Sequence, residues 1–378
     1  MTNDVSAVMP KILARGLMSL REQAIMPRLV NGSFSAEAAE KGDTIDVPLP
    51  ADLVASDVTP GSVPPESSSS EMEKIQIELN NWKKSSFHLT DKEMMEISSH
   101  ENFIPMQVGS AVRALANAVN ETIHNQYKGI YGVVGAAGTT PFEIDSTDAT
   151  AARKMLLKQR APKENRYGVL NFDAEANALD LASFSDVDKT GNNSVKIEGE
   201  IGRKFGINWF SDDHVMRHET GAATSGSIQV DISGSSGKTL KADGFSASPI
   251  EGDVFTIGGG AQQYVVNSAT DLSGGVYTMI ISPALVADVA DADELTFVGS
   301  HEVNLVFNRD AFAFANRPLV QSTVGDGLGS QIMSMTDPQT GLSLRLEVSR
   351  QYKQVVWEFD LLWGVKLVRP ELAIRLAG

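Results

Sequence analysis

A mixed α+β fold with a small inserted β-barrel is what this sequence predicts, on three observations. Two alternating strand patterns run back to back from Leu342 to Arg369. One long helical pattern stands alone between Pro105 and Tyr127. Between them, Gly226 to Gly299 breaks into short strand patterns separated by Gly, Ser, Asp and Pro.

In chain order, residues 8–30 read as a helix that Pro10 and Gly16 interrupt and Pro27 stops, with Ile12, Leu13, Leu17, Leu20 and Ile25 on an uneven apolar face. Ile45, Val47 and Leu49 alternate, as do Ile75, Ile77 and Leu79 ahead of Trp82. Pro48, Pro50, Pro60, Pro64, Pro65 and the run Ser67 to Ser70 lie between, so the pair predicts a long hairpin with an irregular tip. Pro105 suits a first helical turn, and Val108, Val112, Leu115, Val119 and Ile123 recur at three- and four-residue steps. That helix is about 33 Å long at 1.5 Å per residue, and Gly129 and Gly132 end it.

Further on, the pattern predicts a helix over 150–159, a strand over 166–172, and a second helix over 174–183 capped by Asp173. Val303 to Phe307 is read as a strand, with Asp310 capping a short helix through Ala315. In the inserted segment the strand candidates are 227–232, 253–257, 262–267, 276–282 and 294–298. Gly258-Gly259-Gly260 and Ser273-Gly274-Gly275 form turns. At the end, Leu342, Leu344, Leu346 and Val348 alternate with polar residues. Val355, Trp357, Phe359, Leu361, Trp363, Val365 and Leu367 keep the same period, and the break at 349–353 implies antiparallel pairing.

Composition narrows the function classes. Of 378 residues, 42% are hydrophobic and 21% charged, which is globular. The net charge of −16 opposes tight non-specific binding to nucleic acid but not its mere enclosure. The inserted segment carries two lysines against nine acidic residues. With no cysteine, disulfides, thiolate zinc sites and cysteine nucleophiles are excluded. Met1 to Arg21 lacks the pattern of a signal peptide, and no apolar run approaches the ~20 residues of a membrane helix, so no membrane partner is expected.

Chemical motifs are weak. His214 and His218 are four apart beside Asp212, Asp213 and Glu219, but no HExxH order or third ligand accompanies them, so they read as structural or surface histidines. Gly132, Gly135 and Gly138 follow a helix and not a strand, unlike a dinucleotide loop. Asp288, Asp291, Asp293 and Glu294 lack a calcium-loop pattern. No catalytic residue, cofactor or metal is expected, and the chain does not read as an enzyme.

The order of parts resembles the major coat proteins of tailed double-stranded DNA phages. It is most similar to the short-tailed-phage (P-twenty-two type) coat family, whose Hong-Kong-ninety-seven-type capsid fold carries an inserted barrel. The residues that carry the resemblance are Lys41 to Pro48 entering the hairpin, Ala111 to Val119 on the helix, Gly252 to Ile257 in the insert, and Trp363-Gly364-Val365 through Arg369-Pro370-Glu371. The resemblance implies an N-terminal arm (1–42), an extended loop (43–82) and a peripheral domain with a spine helix (83–141). It implies an axial domain in two parts (142–225 and 300–378), the latter including the C-terminal strands, around the barrel (226–299).

It further implies a subunit that self-assembles as pentamers and hexamers into an icosahedral shell around the genome. Scaffolding and portal proteins would be its partners, the host cytoplasm its place of assembly and the virion capsid its destination. Because the arm and hairpin fill the chain before the spine helix, a separate scaffolding protein is expected. No lysine or arginine occurs from Gly42 to Glu73, so maturation by expansion without isopeptide cross-links is expected. Asp46, Asp52, Asp57, Glu66 and Glu71 on the loop are candidates to meet Arg153, Lys154, Lys158 and Arg160 of a neighbour. The family's long barrel loop, which makes two-fold contacts, is short here, holding only Lys238, Lys241 and Asp243, so the insert is expected to act as a stability module. The alternative is a secreted or tail-associated adhesin or decoration protein.

Overall fold

The computed structural model describes residues 9–33, 44–48, 74–93, 106–185, 201–221, 227–285, 289–317, 331–337 and 341–378. Helix α1 (Met9–Gln23) runs through Gly16 without a break and is followed by the short α2 (Met26–Leu29). Pro10 lies in the first turn, where the missing N–H costs nothing. Gly16 marks a close approach instead of an interruption: a β-carbon there would lie 3.3 Å from the side chains of both Val112 and Leu344.

Strands β1 (Thr44–Pro48) and β2 (Lys74–Glu78) pair antiparallel, with Thr44 opposite Glu78 and Pro48 opposite Lys74. The chain then enters β3 (Asn81–Thr90), a strand the sequence reading missed. Helix α3 (Met106–His124) follows and ends in a 3-10 turn, Asn125–Gly129. It buries Val108, Val112, Leu115, Val119 and Ile123, the stripe its spacing predicts.

After β4 (Val133–Gly135) come α4 (Thr147–Lys158), β5 (Arg166–Leu170), α5 (Phe172–Asp180), α6 (Ala182–Ser185), β6 (Gly202–Lys204), β7 (Ile207–Ser211) and β8 (Arg217–His218). The cap of α5 is Asn171, whose side chain accepts from the Ala174 N–H, and not Asp173, which sits in the first turn.

The inserted segment contributes β9 (Gln229–Ser236), β10 (Thr239–Asp243), β11 (Val254–Ile257), β12 (Gln263–Asp271), β13 (Tyr277–Ser282) and β14 (Leu295–Phe297). They form one sheet in the order β14-β11-β12-β13-β10-β9. Its outer strands meet through Val230 N–H to Asp293 O, Ala292 N–H to Val230 O and Leu295 N–H to Ile228 O, so the sheet returns on itself. The contact closes the sheet at the start of β9. Leu240, Phe255, Val266, Met279 and Ile281 fill the inside. β10 was missed because its polar sequence alternates over only five residues.

The chain re-enters the body as β15 (His301–Asn308), continues as β16 (Phe312–Asn316), β17 (Gln331–Thr336), β18 (Ser343–Gln351) and β19 (Gln354–Leu367), and ends in β20 (Ala373–Ala377). Residues 312–316 are a strand and not the expected helix. Asn308, not Asp310, caps the 3-10 turn Arg309–Ala311, and β16 pairs antiparallel with β19. β18 and β19 form the expected antiparallel pair, but only Tyr352 and Lys353 separate their ends, because Arg350 and Gln351 still pair with Val355 and Gln354.

Two sheets build the body. One has the order β4-β20-β15-β5-β7-β6, with β8 on β15; the other has β16-β19-β18-β17, with β3 on β19. The main core packs α1, α2 and α3 against both, through residues such as Leu13, Leu20, Val112, Leu344, Trp357 and Phe359.

Candidate functional site

Three places in the fold bear on function: the hairpin, the basic end of α4, and the junction between insert and body.

β1 and β2 make a sheet of their own. An isolated two-stranded ribbon is marginal in water, and here it is anchored through Val47, Ile77 and Leu79, which pack with Ala313, Ala315, Leu362 and Val368 on β16, β19 and the residue just after them. Gly364 in β19 allows this seat, since a β-carbon there would overlap the Glu78 carbonyl oxygen. Of the candidate acidic residues, Asp46 is described. It accepts from Lys74 Nζ at 3.4 Å and Gln76 Nε2 at 3.1 Å within its own hairpin. Asp52, Asp57, Glu66 and Glu71 lie outside the described residues.

On α4 and just beyond it, Arg153, Lys154, Lys158 and Arg160 are all exposed. Arg153 donates to the Phe205 carbonyl at 3.2 Å, so one of the four is held by its own fold. Neighbouring Lys163 and Arg203 are exposed as well. The structure does not bring Asp46 to this surface within one chain; Asp46 bonds inside its own hairpin.

The third place has no sequence motif. His218 is buried, its Nε2 2.9 Å from Asp253 Oδ1 and its Nδ1 3.2 Å from the Tyr127 hydroxyl. A carboxylate only accepts, so Nε2 donates to Asp253 and Nδ1 accepts from Tyr127. Asp253, at the entry to β11, also accepts from the Ile250 and Gly221 N–H groups at 2.9 and 3.2 Å. Arg375 of β20 is fully buried, donates to the Gly252 carbonyl at 2.8 Å and lies 5.0 Å from the Tyr127 ring centre. Burial pulls its pKa down to about 9, so it stays charged at neutral pH. Tyr131, Val133, Val254, Val265 and Ala377 form the apolar part of the same contact, and Gln263 exchanges two hydrogen bonds with the Val133 backbone.

His301 completes this cluster. Its Nδ1 donates to the Gly299 carbonyl at 2.8 Å, and burial pushes the imidazole down to about 4. His214 stands apart from His218, against Asp212 and Asp213, so the two histidines do not share a ligand. Lys241 of the insert pairs with Asp231 at 2.6 Å inside its own sheet. Asp293 accepts from the Ala290 N–H in a turn, and Asp291 and Glu294 are exposed beside it; Asp288 lies outside the described residues. Among the described residues no helix is long and apolar enough to cross a membrane.

No family model matches the sequence, and no curated protein matches it. Solved structures do. A chain from Mycobacterium phage Che8 is 12% identical with a TM-score of 0.49, over 94% of this chain and 91% of that one. The capsid structure of the cyanophage P-SCSP1u gives 12% and 0.49, over 94% and 88%. A virus-like particle from Pyrococcus furiosus gives 8% and 0.45, over 97% and 98%. Phage and virus-like-particle structures are thus among those this chain is similar to.

Proposed function

We propose that the protein is the major capsid subunit of a tailed double-stranded DNA phage. It assembles as pentamers and hexamers into an icosahedral shell enclosing the genome, without sequence-specific binding to DNA. Assembly takes place in the host cytoplasm with a scaffolding protein and a portal protein, and the protein ends in the virion capsid.

The observation that carries this reading is the β1–β2 ribbon. It pairs with no other described strand, is seated at its apolar base, and leads into a proline- and serine-rich stretch, with seven acidic and no basic residues from Gly42 to Glu73. Such a ribbon gains cover from a second copy, and the exposed cations of α4 and Arg160 offer a surface of opposite charge. Exposed pairs of this kind contribute little singly, so shell stability rests on buried area repeated over many contacts. Lys241 paired inside the insert supports a stabilising role for that segment over a bridging one. The absence of lysine from the 42–73 loop supports maturation by expansion without covalent cross-links. No observation favours an adhesin.

Negative-stain electron microscopy of the protein expressed alone and with a candidate scaffolding protein tests this. Shells, partial shells or polyheads are expected. A persistent small oligomer under both conditions overturns the reading, as does a ladder of covalent multimers on denaturing gels for the maturation step.

A further inference from the structure

β17 ends one side of the body's second sheet: in the order β16-β19-β18-β17 it pairs with β18 alone among the described strands. Its outer row of N–H and C=O groups therefore points away from the sheet, a template for a further strand. Edge strands are usually guarded by charge, proline or shortness, and other edges here are. β3 carries Lys83 and Lys84, β1 ends in Pro48, β2 has Lys74 and Glu78, β6 has Arg203 and Lys204, and β4 has three residues. β17 (Gln331-Ile332-Met333-Ser334-Met335-Thr336) has six residues, no charge and no proline.

The surroundings of this edge are apolar as well. On the core face, Met333 and Met335 stand opposite Leu346 and Leu344. α1 crosses that face at Leu344, where Gly16 makes its close approach. Met333 packs on the main core, but Met335 is 37% exposed, and Met18 on α1 is 52% exposed. Ile332 on the opposite face is half-buried. Exposed apolar surface along an unpaired edge marks an interaction site. Its lack of charge fits a second copy of itself, because no like charges meet and none is stranded when the two edges join.

We propose that β17 pairs antiparallel with β17 of a second copy, joining the two body sheets into one across a two-fold axis. The contact is isologous: each copy presents the same strand, bordered by its own Met18 and Met335. Side chains alternate between the faces of a strand, so the core faces of the two copies match only when one residue sits opposite its own copy. The middle of the strand puts Met333 or Ser334 at that point. The contact goes beyond the capsid reading and uses neither the hairpin nor the cations of α4.

The chain has no cysteine, so each introduced one reports alone. Cysteine is placed singly at each position from Gln331 to Thr336 of the full-length protein, the samples are oxidised, and covalent dimer is read on non-reducing gels. The residue at the axis faces its copy across about 4.5–5.5 Å between α-carbons, within the disulfide range of about 4.4–6.8 Å. One residue along the strand, the two copies are about 8 Å apart, which is too far. A dimer yield that peaks at Met333→Cys or Ser334→Cys and falls on both sides is expected, several-fold above Ser273→Cys, a control in an exposed turn of the insert. Ser334→Glu is exposed and faces Arg345 in its own sheet. It should leave the melting temperature unchanged and weaken self-association in sedimentation velocity about tenfold or more, by setting carboxylates on both sides of the axis. Yields no higher than the control, or even across all six positions, overturn the proposal. Electron microscopy of the same samples separates the two readings: shells without the peak keep the capsid and remove this contact, and the peak without shells does the reverse.

Discussion

Gly364 and Glu78 touch backbone to backbone: the space a β-carbon on Gly364 would need is occupied by the Glu78 carbonyl oxygen, with Ile77 close behind. The hairpin therefore sits on β19 at a point where only glycine fits. Gly364→Ala should destabilise the subunit by about 1–3 kcal/mol, the usual cost of overpacking. Denaturant unfolding measures that; under the proposed capsid function, shell yield should fall further than stability alone explains, because the hairpin base is displaced.

Arg345 and Asp360 stand opposite each other on β18 and β19. They are joined by Arg345 Nε to Asp360 Oδ1 at 2.8 Å and by a second contact through Nη2, with the Trp82 indole donating to the same carboxylate at 3.2 Å. Both side chains are largely buried. Asp360→Ala should cost about 3–5 kcal/mol by stranding the guanidinium, whereas Arg345→Met with Asp360→Leu should recover much of the loss. Chemical denaturation of the single and double variants checks both.

His301 should make stability fall on acidification. Its native value of about 4 lies below the ~6.5 of an unfolded histidine. Between these values the unfolded chain binds a proton that the native chain refuses. The contribution is full above about pH 6.5 and is lost as pH drops towards 4, by at most about 3 kcal/mol. Arg375 and His218 nearby oppose the charged form and Asp253 favours it. Melting temperatures across that range, compared with His301→Phe, should show a shallower slope in the variant.

Asp253 holds three donors at the junction: His218 Nε2 and the N–H groups of Ile250 and Gly221. Asp253→Ala leaves them unsatisfied, at about 1–3 kcal/mol each. Hydrogen exchange should show the amides of 250–257 opening sooner, together with β15, while α1 and α3 keep their protection. Uniform loss across the chain would contradict a local joint.

Most legible in the sequence were elements with one face on the core. β18 and the first half of β19 alternate because one side meets the core, and α3 shows its stripe for the same reason, whereas from Phe359 to Gly364 both faces of β19 are buried, the second beneath the hairpin. β16 was misread because all five of its residues are buried, so no alternation survives, and two alanines among them suit a helix. β3 was missed because most of its residues are exposed and polar; it is a strand because β19 offers it an edge. Gly16 and Gly364 are each read correctly only when the neighbour that crosses them is known.

By itself, then, the sequence determined the α+β class, the hairpin strands, the single long helix, most strands of the insert and the paired C-terminal strands. It also determined the acidic balance and the absence of cysteine chemistry. Tertiary structure decided which strands become neighbours, where the hairpin is seated, and how residues remote in the chain meet: Tyr127 with His218, Asp253 and Arg375, and His124 with Asp212. Periodicity records which face of a segment leaves water, a local property. Partnership depends on where distant segments come to lie, and spacing along the chain carries no record of that.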